Sequence, residues 1–138
     1  MGALTVYYAH EHGRKGIEVA SVDEVDALVN RVLATSSEEA PVLMQLYVAS
    51  DVHTQELSAG VVGDRGVLRY AGRDWFEGVC SLGEGRGGGE PLLYFYMDSD
   101  TEFPSNAEVP LDVVRQAIKD YLVADGARPT CVSWQPDH

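Results

Sequence analysis

The chain contains two segments in which apolar residues recur every three or four positions, the spacing of one face of a helix. In the segment 22–34, Ser21 and Glu24 stand at the capping-box spacing that marks a helix start. The segment 111–123 follows Pro110, which suits a first helical turn, and precedes Gly126, which commonly ends a helix. The apolar positions are Val22, Val25, Leu28, Val29, Val32 and Leu33 in the first segment and Leu111, Val114, Ile118, Tyr121 and Leu122 in the second. The pattern predicts two amphipathic helices.

Shorter stretches of alternating or continuous apolar residues predict seven β-strands. These strands cover residues 3–9, 42–49, 57–62, 67–71, 75–82, 92–97 and 130–134. Residues 63–66 read Gly-Asp-Arg-Gly and predict a hairpin turn. Residues 17–19 either extend a strand or lead into the first helix. Residues 92–97 are almost wholly apolar and aromatic, so we expect them to form a central strand of the sheet.

Short turns join most of these strands, so neighbouring strands are expected to pair antiparallel. Helices before and after such a run fit a helical layer on one side of the sheet. The sequence therefore predicts an α+β fold: a single antiparallel, meander-rich sheet of about six to seven strands with two helices on one face. A length of 138 residues fits a single domain over residues 1–138. We expect Trp134, which ends the last strand, to be largely buried against the second helix.

The net charge of −12 changes the expected set of partners. Nucleic-acid phosphates and anionic lipids would be repelled, whereas a basic protein surface would be attracted and would associate rapidly. The first residues do not read as a secretion signal, and no apolar run approaches the length of a membrane span. We therefore expect a reduced, cytoplasmic protein, in which Cys80 and Cys131 are inert buried thiols.

Two short motifs allow a small-molecule-binding or metal-dependent enzymatic domain as an alternative. His10 and His12 would face the same side of a strand, as metal ligands often do, with His53 or Asp51 as a further ligand. The glycine-rich loop 83–89 formally matches a dinucleotide fingerprint, but a strand follows it where that fingerprint requires a helix. A simple loop is the favoured explanation of each motif. Since the sequence contains no recognisable arrangement of nucleophile and base, we expect no enzyme, cofactor or metal.

The segment from Asp98 to Asp125 contains seven acidic residues and two basic ones. Asp98, Asp100 and Glu102 resemble the opening of a calcium loop, but Phe103 stands where that loop requires glycine. The sequence therefore predicts an acidic loop that either is simply solvated or docks a basic partner.

Several tyrosines fall on one side of the predicted strands. The parity of the strands groups Tyr7, Tyr47, Tyr94 and Tyr96 with polar Thr5 and Gln45, a mixture that suits the sheet face without helices. Tyrosine is enriched at protein interfaces because it is large, rigid and polar at its tip. These rings are either partner-binding residues or half-buried sheet residues with solvated hydroxyls.

Three strings near the end of the chain resemble a known family. They are Glu102-Phe103-Pro104, the helix start Val109-Pro110, and Gly-Ala-Arg-Pro-Thr-Cys-Val-Ser-Trp at 126–134. Together they resemble the immunity proteins of bacterial polymorphic toxin systems, and in particular the first-numbered family of that group. The strong resemblance covers about a quarter of the chain, and a weaker one in element order covers most of the rest.

The resemblance implies a protein that binds a cognate toxin and performs no reaction of its own. The toxins of this family are often nucleic-acid deaminases, which would present a basic groove to an inhibitor that occludes the active site. The residues that we expect to bind the toxin are Asp98, Asp100, Glu102, Tyr94, Tyr96 and Tyr47. A structural or regulatory module for another basic protein is a further alternative.

Overall fold

The computed structural model describes residues 3–8, 16–48, 56–72, 75–83, 90–96, 99–124 and 126–136. It gives no side-chain description for residues 75–77 and 136. Within this part of the chain there are two α-helices and ten β-strands, which together form an α+β fold. No helix among the described residues is long and apolar enough to cross a membrane.

The two helices lie where the apolar periodicity predicts them. Helix α1 covers Val22–Thr35 and helix α2 covers Leu111–Val123. The hydroxyl of Ser21 accepts the Glu24 backbone N–H at 3.2 Å, which confirms the predicted N-cap of α1. After α2, Gly126 adopts a φ of +94° and its N–H donates to the Tyr121 carbonyl at 2.9 Å. A left-handed residue of this kind satisfies a carbonyl of the last helical turn.

The sheet is larger than predicted. Its strands are β1 Leu4–Tyr7, β2 Ile17–Val19, β3 Val42–Val48, β4 Glu56–Val62, β5 Arg65–Gly72, β6 Trp75–Leu82, β7 Leu92–Tyr96, β8 Ser99–Phe103, β9 Val109–Pro110 and β10 Ser133–Pro136. Seven of them follow the antiparallel order β10-β6-β5-β4-β3-β1-β2. The prediction of six to seven strands was wrong because β2, β8 and β9 are short or polar and carry little apolar signal.

The position of β7 corrects a second prediction. Instead of lying in the centre of the sheet, β7 forms an antiparallel hairpin with β8 and joins β3 through a single parallel bridge, Val42 to Phe95. The Phe95 N–H donates to the Pro41 carbonyl at 2.8 Å. An apolar strand needs burial, but a hairpin packed against a sheet face provides it as well as a central position does.

The helices and the sheet enclose the main hydrophobic core. Buried residues of α1 and α2 join one cluster with sheet residues of a single parity, so both helices lie on the same face, as predicted. The sheet residues of this cluster include Met44, Leu46, Ala59, Val61 and Leu68. Burial of this apolar surface is the main force that holds the two layers together.

A second, smaller core lies on the opposite face of the sheet. It joins sheet residues of the other parity to side chains of the β7–β8 hairpin. Its members are Leu43, Val62, Val67, Cys80, Tyr94, Phe103 and Ala107. The face that the sequence predicts to be uncovered is therefore covered in part by the hairpin.

Trp134 supports the main core from its margin. Its indole N–H donates to the Pro129 carbonyl at 2.9 Å, and its ring lies 6.3 Å from that of Tyr70. Tyr70 in turn contacts Tyr121 of α2 at 6.4 Å between ring centroids. Trp134 has intermediate exposure, and its ring packs on the main core as predicted.

Candidate partner-binding surface

Three tyrosines meet on the sheet face opposite the helices, next to the β7–β8 hairpin. The pairing of β1 with β3 sets Tyr7 opposite Gln45 and Thr5 opposite Tyr47. The Tyr7 and Tyr47 rings are 6.1 Å apart between centroids and meet edge to face. We call Tyr7, Gln45, Tyr47, Glu56 and Tyr96 the tyrosine patch. All five residues are partly accessible to solvent.

The hydroxyl of Tyr47 is the polar centre of the tyrosine patch. It lies 2.9 Å from Oε1 of Gln45 and 2.9 Å from Oε1 of Glu56. A phenol has one proton, and the charged carboxylate of Glu56 is its stronger acceptor. Burial, followed by the neighbouring charge of Glu56, raises the pKa of Tyr47 well above its usual value. The hydroxyl therefore stays protonated at neutral pH, and the ring is held in one orientation.

Tyr96 joins this patch from the hairpin. Alternation along β7 directs Leu92, Tyr94 and Tyr96 toward the sheet, and Tyr96 lies at the margin of the second core. Burial and the nearby carboxylate of Glu56 raise the pKa of Tyr96. Tyr47 and Tyr96, two of the tyrosines expected from the sequence to bind a partner, thus lie in the same patch.

Tyr94 occupies a different environment from the other tyrosines. Its side chain is 2% exposed and stacks edge to face on Phe103, with ring centroids 5.8 Å apart. The ring lies directly over Gly60, where an added Cβ would come within 2.3 Å of it. Tyr94 is therefore a core residue, and its ring has almost no surface to offer to a partner.

The predicted acidic loop is in part a strand. Asp100 and Glu102 belong to β8, where they pair with Phe95 and Leu93 of β7, and both are exposed. Asp98 lies outside the described residues. The side chains of β8 alternate, so that Phe103 enters the core while the two acids point to solvent. The hairpin thus presents an outward acidic surface beside the exposed side chain of Leu93.

Several other sequence candidates cannot be placed. His10, His12, His53 and Asp51, and residues 84–89 of the glycine-rich loop, lie outside the described residues. Over the ranges that are described, no group of three or more His, Cys, Asp or Glu side chains is arranged to hold a metal ion.

The two cysteines differ in environment. Cys80 is buried in the second core, as predicted. Cys131 is exposed, so the prediction of a buried thiol was wrong there. Residues 130–132 are irregular, and strand β10 begins only at Ser133. The apolar run at 130–134 is therefore not a continuous strand.

One group of functional candidates has no signal in the sequence. Arg65 bonds to the carboxylate of Glu38, and its Nε donates to Oε2 of Glu108 at 3.0 Å. These three residues and Tyr94 line a groove of about 330 Å³ between the hairpin and the sheet. We call it the acidic groove. The bond to Glu38 is the largest of the causes that raise the pKa of Arg65, which remains charged.

A buried network fixes the position of Glu108 in the acidic groove. The hydroxyl of Ser81 donates to the Ala107 carbonyl at 2.5 Å and accepts the Leu68 N–H at 3.0 Å. The next residues, Val109 and Pro110, form β9 and pair with β5. Glu108 therefore sits between two anchored points of the backbone, which limits the motion of its carboxylate.

Comparison with known proteins relates this architecture to one family. The sequence model described as "Immunity protein Imm1" matches residues 13–136, which include both helices and the strands from β2 to β10. A search of the curated proteins found no match.

Proposed function

The chain belongs to the Imm1 family of immunity proteins, and from this premise we propose that it neutralises a cognate toxin by binding it and occluding its active site. The observation that carries the proposal is the extent of the match, which spans residues 13–136 of a 138-residue chain. The matched region contains the hairpin, the tyrosine patch except Tyr7, and the acidic groove. No reaction catalysed by the chain itself is part of this proposal.

The tyrosine patch supports a binding role for this face of the sheet. The Tyr7 and Tyr47 rings meet edge to face and the Tyr47 hydroxyl is hydrogen-bonded, so little conformational entropy is lost when a partner covers these two rings. Rigid, partly exposed tyrosines are typical anchors of protein interfaces. We assign the anchor role to Tyr47 and Tyr96, with Tyr7 beside them. The ring of Tyr94 is buried, so Tyr94 is not one of these aromatic anchors.

The acidic side chains of β8 support a basic partner. Asp100 and Glu102 are exposed on the outer surface of the hairpin, and Asp98 precedes them in the chain. With a net charge of −12, the protein would attract a basic protein over a distance of about 10 Å at ordinary salt. A toxin that acts on nucleic acid needs a positively charged groove, so a nucleic-acid deaminase fits this charge.

The experiment that tests the proposal uses the cognate toxin domain, which we expect the gene beside this one to encode. Coexpression of the protein should restore growth to cells that produce the toxin, and the purified protein should form a stable complex that abolishes the toxin's activity. A toxin domain from an unrelated system serves as the control and should be unaffected. If the purified protein neither binds nor inhibits the adjacent toxin, the proposed function is wrong.

A further inference from the structure

The acidic groove carries more negative than positive charge. Its charged lining comprises Glu38, Glu39 and Glu108 against the single guanidinium of Arg65. Arg65 is already engaged by Glu38 and Glu108, and Asp64 lies 3.9 Å from its Nη1. Glu38 is two-thirds exposed, and such surface pairs exchange partners at little cost. The groove can therefore accept a further cation without first losing Arg65.

The hydroxyl of Tyr94 gives a second, independent indication of a ligand. Among the described residues it is the buried side-chain polar atom that has no hydrogen-bond partner. Gly60 and Phe103 fix the ring, so the hydroxyl cannot turn away to find one. Leaving a buried hydroxyl unpaired costs free energy, and a group that pairs with it recovers part of that cost.

The Tyr94 hydroxyl belongs to the acidic groove. Tyr94 lines the groove together with Arg65, Glu38 and Glu108. The charges that act on this hydroxyl, after burial itself, are those of the same three residues, and the net result is a raised pKa for Tyr94. The hydroxyl is therefore protonated and faces the carboxylates of the groove.

The rim of the acidic groove is suited to a long side chain. Leu93, which is 41% exposed, lines it beside Pro91 and Phe95. Apolar atoms at the entrance with carboxylates further in match the structure of lysine and arginine, which place methylene groups along apolar surface and the charge at the tip. Nucleic acid and anionic lipid do not fit, because the groove would repel their phosphates.

We propose that the acidic groove binds a lysine or arginine side chain of the toxin, with the cation against Glu108 and Glu38 and one of its N–H groups donating to the Tyr94 oxygen. This inference rests on the proposed function and names a subsite of the toxin interface. The subsite lies next to the outward surface of β8, since Leu93 lines the groove and pairs with Glu102. The two features together would form one continuous contact.

The test uses Tyr94→Phe, which removes the hydroxyl and keeps the ring. Dissociation of the complex with the adjacent toxin domain, followed by surface plasmon resonance, should become about threefold to tenfold faster, as expected for one lost hydrogen bond. Thermal unfolding of the free variant should be unchanged or shifted upward, since an unpaired buried hydroxyl has been removed. Glu108→Gln should weaken the complex about tenfold or more, because a charged partner is lost.

Tyr121→Phe is the matched control. Tyr121 is also buried, but its hydroxyl donates to the Leu46 carbonyl at 3.3 Å within the helix-side core. This variant should be less stable and should release the toxin at the rate of the unchanged protein. Comparison of the two variants separates an effect on the groove from the general effect of removing a phenol oxygen.

The outcomes distinguish this inference from the proposed function. If the unchanged protein binds the toxin and Tyr94→Phe and Glu108→Gln bind equally well, the subsite is overturned while the proposed function stands. A loss of stability in Tyr94→Phe without any change in binding also overturns it, because the hydroxyl then serves the fold. If the unchanged protein does not bind, both proposals are overturned.

Discussion

At the scale of single residues, the second core depends on a position without a side chain. Gly60 of β4 leaves the space in which the ring of Tyr94 lies, and this allows the hairpin to approach the sheet closely. Tyr94 is buried because it lies over Gly60, whereas Tyr96, two residues further along the same strand, lies near larger side chains and keeps part of its surface. The two tyrosines therefore differ in burial because the residues beneath their rings differ in size.

We expect Gly60→Ala to lower the free energy of unfolding by about 1–3 kcal/mol, the usual cost of overpacking a core. The added Cβ would approach the Tyr94 ring to within 2.3 Å, so the ring and the hairpin must shift. Urea denaturation measures the change. In a Tyr94→Ala background the same substitution should cost much less, and an equal cost in both backgrounds would contradict this account.

The tyrosine patch gives a second prediction at this scale. Tyr96→Ala should accelerate dissociation of the toxin complex and reduce affinity by about 2 kcal/mol or more, because a partly exposed aromatic anchor is removed. The association rate should change little. Val123→Ala, an exposed apolar residue on α2, is the control and should leave both rates unchanged. Equal dissociation rates for Tyr96→Ala and the unchanged protein would remove Tyr96 from the interface.

At the scale of elements, ion pairs as well as apolar contacts join the two helices. The carboxylate of Asp26 on α1 lies 3.1 Å from Nη1 of Arg115 and 3.0 Å from Nζ of Lys119, both on α2. Arg115 also donates to the Asn30 side chain at 2.6 Å. The hydrogen bond from Lys119, with a further one from Arg115, outweighs the effect of burial and lowers the pKa of Asp26.

This pairing predicts a pH dependence of stability. Because the pKa of Asp26 is lower in the folded than in the unfolded chain, its contribution is complete above the ordinary value of 3.8 and is lost as pH falls through the folded value. Asp26→Asn should therefore lower the free energy of unfolding by about 1 kcal/mol or less at pH 7, since the site is partly exposed. Below about pH 4 the difference from the unchanged protein should shrink.

Chemical denaturation at a series of pH values measures this effect. Glu18→Gln, which removes an exposed carboxylate from β2, is the control. Its free energy of unfolding should differ from that of the unchanged protein by the same amount at every pH. If the free energy of unfolding of Asp26→Asn differs from that of the unchanged protein by the same amount at every pH, the carboxylate charge does not stabilise the helix pair.

At the scale of the whole molecule, the excess of acidic residues determines how the protein meets a partner. Among the described residues, Arg65, Arg115 and Lys119 form ion pairs with acidic side chains. Exposed acidic side chains such as Asp100 and Glu102 are available to attract a basic protein. Rim charges of this kind affect the rate of encounter more than the lifetime of the complex.

We expect neutralisation of Asp98, Asp100 and Glu102 together to slow association with the toxin and to flatten its dependence on salt concentration. Stopped-flow measurement at several salt concentrations tests this. The control neutralises Glu18, Asp23 and Asp112, which are exposed on β2 and the helices, and changes the net charge equally. If only the control slows association, the toxin approaches the helix side, and the acidic first turn of α1 becomes the candidate surface.

The sequence by itself determined the elements whose signal is local. The stripes of α1 and α2, the cap at Ser21, the left-handed Gly126 and the turn at Gly63, with its φ of +59°, were all predictable. Each depends on residues within a few positions of one another, and one physical rule governs each of them. The family could be recognised for the same reason, because its strings are contiguous.

Only the tertiary structure decided where the hairpin lies and what it encloses. An apolar strand has the same sequence pattern whether it pairs within a sheet or packs against one. The prediction from the sequence therefore placed β7 wrongly and put Tyr94 on an open face. The acidic groove was beyond prediction because Arg65 stands 27 residues from Glu38 and 43 from Glu108. No local pattern encodes contacts at such separations. They form because the hydrophobic face of each element must be buried, and this packing brings the segment after α1, the start of β5 and the residue before β9 together.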